Sequence, residues 1–181
     1  MTPQIESNTS AIADPAVRAA LRLLSDGASL LERISDEQYT LPSPALRGAT
    51  VGQHIRHTLD HFSAILSSLS GEPIRYDQRK RGTVIETSRS DAMDRVGQLS
   101  DALGALDSER SGVQVTVVSL LNPDDPETEL ESTLARELAF ATHHATHHHA
   151  MILVAAEAMG VELPADFGRA PATVRHDRTT G

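Results

Sequence analysis

Residues 132–160 read STLARELAFATHHATHHHAMILVAAEAMG, and this stretch decides the fold. Ser132 can cap a helix that runs to Met159, with Gly160 as its stop. At 1.5 Å per residue that helix is roughly 40 Å long. Its apolar face is set by Leu134, Leu138, Ala141, Ala145, Ile152 and Met159. Advancing about 100° per residue from Leu134, His144 and His148 fall about 80° and 40° away, on the core side. His143 and His147 fall about 180° and 140° away, toward solvent, and His149 lies about 60° off on the other flank.

Working outward, three more apolar stripes repeat at helical spacing. Asp14-Pro15 places a cap and a first-turn proline ahead of Val17, Ala20, Leu21, Leu24, Ala28 and Leu31, giving a first helix to about Ile34. Pro42, Pro44 and Gly48 mark a loop. Thr50 caps a second helix carrying Val51, Ile55, Leu59, Phe62, Leu66 and Leu69, and Gly71 ends it. A third helix starts near Ser88 or Ser90 and carries Ala92, Val96, Leu99, Leu103 and Leu106. Between the third and fourth helices, Val113–Val118 is β-branched and the Asn122–Pro126 turn returns Glu127–Glu131, so a short hairpin is expected there. The prediction is an all-α four-helix bundle in one domain, 1–181, with 1–13 and 161–181 as extended tails.

Composition agrees. The chain has 181 residues, the size of one domain, and aromatics supply only 3% of them, so Leu, Ile, Val and Ala must fill the core. A formal charge of −9 argues against nucleic-acid and anionic-membrane partners, which demand basic surface. No segment approaches the roughly 20 apolar residues of a membrane span, and no leader-like segment opens the chain, so a cytoplasmic protein is expected. Without cysteine there is no disulfide, no thiolate metal site and no protein thiol nucleophile. Any thiol chemistry would need a thiol cosubstrate.

Histidine is the anomaly. Nine are present, and eight fall at His54, His57, His61 and at His143, His144, His147, His148 and His149. Two imidazoles four residues apart on a helix can chelate one ion, and helical phase chooses His144/His148 over His143/His147. Buried and unpaired, such rings would cost on the order of 1–3 kcal/mol each. The small residues Ala141, Thr142, Ala145 and Thr146 leave room for an ion. The second helix supplies a third ligand, but phase does not separate His54, His57 and His61, and slightly favours His54 or His61. Asp60 reads equally as a partner orienting an imidazole or as a solvated carboxylate. Tyr76, Asp77 and Arg79 could reach the mouth of the site, but read first as a plain polar loop, and Arg169 and Arg175 read as tail charge or as an anion site.

The segment Gly52-Gln53-His54-Ile55-Arg56-His57-Thr58-Leu59-Asp60-His61-Phe62 contains His57-x-x-Asp60. Together with His144-x-x-x-His148 late in a long last helix, it resembles the DinB/YfiT-like superfamily of bacterial four-helix-bundle metalloproteins, to about residue 160. The resemblance implies a metal triad of His57, His144 and His148. It also implies pairing into homodimers, to which Leu153 and Val154, off the main core face, are suited. Three histidines with open positions suit a catalytic metal, and the ligand set leaves zinc, nickel, manganese and iron(II) open. The resemblance further implies a small-molecule substrate and a low-molecular-weight thiol, as in an S-transferase. A metal-dependent hydrolase and a non-catalytic metal-binding stress protein are the alternatives.

Overall fold

The computed structural model describes residues 14–78, 80–107 and 110–180. The first predicted helix is α1 (Pro15–Arg33), where the Asp14 carboxylate accepts from the Ala16 N–H at 2.7 Å. A short helix, α2 (Asp36–Thr40), follows it and was not foreseen; Ser35 and Gln38 close a capping box at its start. Five residues are too few to show a period, so only the cap marks α2. The second predicted helix is α3 (Val51–Ser67), fixed by a reciprocal cap in which Thr50 and Gln53 exchange two 3.1 Å bonds. It tightens into a 3-10 turn over Ser68–Ser70 before Gly71, whose φ of 93° only glycine adopts readily. The third is α4 (Arg89–Gly104), capped by Ser88.

β1 (Gln114–Ser119) and β2 (Thr128–Thr133) pair antiparallel, from Gln114 opposite Thr133 to Ser119 opposite Thr128. Ile74 docks beside β1, donating to Thr116 O and accepting from Val118 N, each at 2.8 Å. The fourth predicted helix is α5 (Leu134–Ala158). Its cap is Thr133 rather than Ser132, because β2 runs through Ser132 and continues directly into the helix. The Ser132 hydroxyl instead donates to Glu137 at 2.6 Å.

The four long helices form a ring in which each touches two others: α1 and α3 both pack against α4 and α5. Leu24, Leu30, Leu31, Ile55, Phe62, Ile65, Leu99 and Leu138 fill the centre with almost no exposure. Each such side chain contributes about 1.5–3 kcal/mol of burial. Their stripes are what orient α3 and α5 face to face.

The segment 161–181 differs from the extended tail expected of it. Pro171–Thr180 is a helix, α6, and the stretch before it is pinned to α5. Phe167 is 1% exposed and stacks on His149 at 4.7 Å. At Gly168, φ is 68° and a Cβ would meet Ala150 N at 2.7 Å, so chain and helix touch backbone to backbone. One aromatic anchor in a polar segment leaves too little periodicity to read from sequence. The expected extended run 1–13 lies outside the described residues, as does Arg79. Among the described residues no helix is long and apolar enough to cross a membrane.

Candidate metal centre

Five histidines meet where α3 packs on α5. His54, His57 and His61 lie on successive turns of α3, and His144 and His148 on successive turns of α5. His144 Nε2 is the hub, 2.9 Å from His57 Nε2 and 3.1 Å from His148 Nε2. The His57 ring stands nearly perpendicular to both, at 86° and 88°. An sp² nitrogen holds one proton or one lone pair, so His144 Nε2 cannot make two good hydrogen bonds at once. A single cation would satisfy all three atoms. Nitrogens bound tetrahedrally at 2.0–2.1 Å are about 3.3 Å apart, so each of these two contacts is slightly shorter than two ligands of one ion would stand.

Each remaining histidine occupies a distinct place. His61 is 5% exposed, and its Nδ1 donates to the His57 carbonyl at 2.9 Å. That bond makes Nε2 the lone-pair nitrogen of a neutral His61, and His57, His61 and His144 can each offer a nitrogen within 4.8 Å of one another. Two candidate triads thus share His57 and His144. In the one with His61, the His61 and His144 rings lie nearly parallel, at 26° and 4.5 Å. His54 stands behind His148, with its Nδ1 2.8 Å from His148 Nδ1. His143 and His147 are exposed, on the side their helical phase gives them. His149 turns away from the cluster and is buried against Phe167.

The electrostatics favour neutral imidazoles. Burial, reinforced by the neighbouring His144 and His54, pushes His148 down to about 3. Burial and His147 lower His54. A neutral ring is the form a metal requires. Asp60, its side chain 32% exposed, is paired with Arg56, whose Nη1 binds it at 2.7 Å while Arg56 Nε reaches Glu86 at 3.0 Å.

One wall of the centre follows the less favoured of two readings of the sequence. Tyr76, read as part of a polar loop, stacks on His61 at 4.8 Å and 17°. Its hydroxyl donates to Glu137 at 2.7 Å, and Glu137 is 5% exposed. Burial and this carboxylate push the phenol far above its ordinary value. Phe140 lies 6.0 Å from the His144 ring and 5.4 Å from Tyr76. Beyond them opens a cavity of about 380 Å³ lined by Tyr76, Val117, Leu121, Leu130, Arg136 and Phe140. A signal was available for Phe140 and Glu137, which sit four and seven residues before His144 and so share its flank of the helix. None was available for Tyr76, because a loop has no phase.

The sequence profile of the DinB superfamily matches residues 21–152, most of the chain and all eight clustered histidines. The chain belongs to the DinB superfamily. This DinB-superfamily chain is also 28% identical over 122 residues to FK506-binding protein 5 of Rhizopus delemar. That match covers 64% of this chain and 31% of the fungal protein, so the chain spans about a third of that relative's length. No solved structure matches. The DinB match ends within α5, so Phe167 and α6 lie beyond it.

Proposed function

We propose that this protein is a metal-dependent enzyme that holds one divalent ion on His57, His144 and His148 and joins a low-molecular-weight thiol to an apolar electrophile. The observation that carries the reading is the approach of two Nε2 atoms, of His57 and His148, to that of His144, at 2.9 and 3.1 Å. Membership of the DinB superfamily supports it. When bound, such an ion would polarise a carbonyl or lower the pKa of a thiol or water toward neutrality. Zinc, nickel, manganese and iron(II) all suit an all-nitrogen site.

The chain's own residues do the rest. His148 Nδ1 hands its proton toward His54, which keeps His148 Nε2 as a lone pair. Tyr76 and Phe140 flank the centre and, with Val117, Leu121 and Leu130, receive the apolar body of a substrate and exclude water around it. Arg136, poised over Phe140 at 5.5 Å, borders the same cavity and can meet a polar end. The cysteine-free chain leaves the thiol to the cosubstrate. A thiol pool kept reduced is a property of the cytoplasm, where we place the protein.

Elemental analysis of untagged protein, followed by electrophile turnover with added thiols and with water alone, tests the reading. About one ion per chain and thiol-dependent turnover are expected. Turnover in water alone would assign a hydrolase, and an ion without turnover a binding protein. Absence of metal after reconstitution with all four ions would overturn the site.

A further inference from the structure

A second cavity, of about 260 Å³, lies between α1, α5 and α6, across α5 from the histidines. Thr142 and Thr146 line it, each two residues and so about 200° of helix turn before His144 and His148. Their hydroxyls are spent on backbone carbonyls of α5. The chain carries a charge of −9 and only 16 Lys and Arg, yet Arg22, Arg169, Arg175 and Arg178 all border this one cavity. Their carboxylate partners are fewer. Asp166 is shared between Arg22, at 3.7 Å, and Arg178, while Asp177 takes Arg169. Asp26 also lines the cavity; burial, its largest influence, raises its pKa, while Arg22 pulls the other way. Arg175 makes no side-chain hydrogen bond or ion pair among the described residues. The other wall is apolar, built from Ala19, Leu23, Pro171 and Val174.

We propose that this cavity is a binding site for a small organic anion, with a carboxylate or phosphate head on the arginines and an apolar body against Leu23 and Val174. Guanidinium forks match both heads in shape and charge. The size is near the lower end of ligand pockets, which limits the body to about a single ring or short chain. Arg169, Arg175 and Arg178 come from the segment pinned by Phe167 and Gly168, so that anchor is what completes the site. The anchor and α6 lie outside the DinB match, and the proposed site stands whether or not the histidines hold a metal.

The test is calorimetric titration of the metal-free full chain, at low and high salt, with phenyl phosphate, benzoate, inorganic phosphate and benzyl alcohol. Saturable 1:1 binding of phenyl phosphate or benzoate is expected, weakened by salt, and whichever is tighter names the head group. Inorganic phosphate should bind more weakly and benzyl alcohol not at all. Arg175→Ala, which removes no hydrogen bond or ion pair among the described residues, should weaken binding about tenfold or more, and His57→Ala should leave it unchanged. Three results would overturn the proposal: no saturable binding by either organic anion, equal binding in Arg175→Ala, or loss in His57→Ala. Equal affinity for inorganic phosphate and phenyl phosphate would refute the apolar half of the site.

Discussion

His54 and His148 face each other Nδ1 to Nδ1 at 2.8 Å, across the seam between α3 and α5. Only one of the two nitrogens can carry the proton. If His148 donates it, its Nε2 is left as a lone pair aimed at the hub, and His54 becomes the residue that fixes this tautomer. His54→Ala should therefore weaken metal affinity about 10–100-fold without changing stoichiometry. A metal titration by competition with a chelator reads this. An unchanged affinity would show that His148 needs no partner.

The ligands themselves should behave more severely. His57→Ala, His144→Ala and His148→Ala each leave two ring nitrogens, and occupancy should collapse on elemental analysis. His143→Ala and His147→Ala, at exposed positions, should bind as the parent does. His61→Ala tests the competing triad. If it abolishes binding while His148→Ala retains it, the ion sits between His57, His61 and His144 instead.

Tyr76→Phe keeps the ring stacked on His61 but removes the donor to Glu137 Oε2. Glu137 retains Ser132 at 2.6 Å, with Arg136 at 3.6 Å. Losing one bond to a buried carboxylate should cost about 1–3 kcal/mol in chemical denaturation. Metal affinity should hardly move, since no ligand nitrogen is touched. A loss of binding larger than the loss of stability would give the Tyr76 hydroxyl a direct role at the centre.

Acid should loosen the metal-free protein through His149. Burial against Phe167 pushes His149 down to about 4, from 6.5 when unfolded. The unfolded chain therefore binds the extra proton first. Stability is whole above pH 6.5 and falls as pH drops toward 4, by on the order of 3 kcal/mol from this residue. His148 and His54 add losses of the same sign. Melting temperature against pH should fall less steeply in His149→Phe, which keeps a ring against Phe167. Identical slopes would show that His149 does not resist protonation.

The core of the bundle was legible because burial repeats with the helix. Leu134, Leu138, Ala141, Ala145 and Ile152 are all buried, as their spacing requires, and the same phase sends His144 and His148 toward α3 and His143 and His147 outward. What phase could not supply is contact between separate elements. The His54–His148 pairing depends on the register of α3 against α5, and the stacking of Tyr76 on His61 depends on a loop. The docking of Phe167 against His149 depends on one residue in a segment with no period. The resemblance supplied His57, which the wheel did not favour over its neighbours.

On association, α5 exposes Val154 to 55%, while Leu153 packs partly against the chain's own core. A second copy covering Val154 is the proposed arrangement. Sedimentation should give about twice 19.5 kDa at micromolar concentration, and Val154→Asp should return the monomer mass. A parent already at monomer mass removes the dimer.

With no tryptophan, the chain's near-ultraviolet light comes from Tyr39 and Tyr76, both hydrogen-bonded inside the protein. Tyr39 donates to Ile85 O at 2.7 Å, in the turn packed on α3, and stacks on no histidine among the described ring contacts. Tyr76 lies flat on His61 at the edge of the centre. The molecule thus contains its own optical pair, one chromophore beside the histidines and one reference in the scaffold. An event at the histidines would register in the colour and emission of Tyr76 and leave Tyr39 dark to it, with no dye attached.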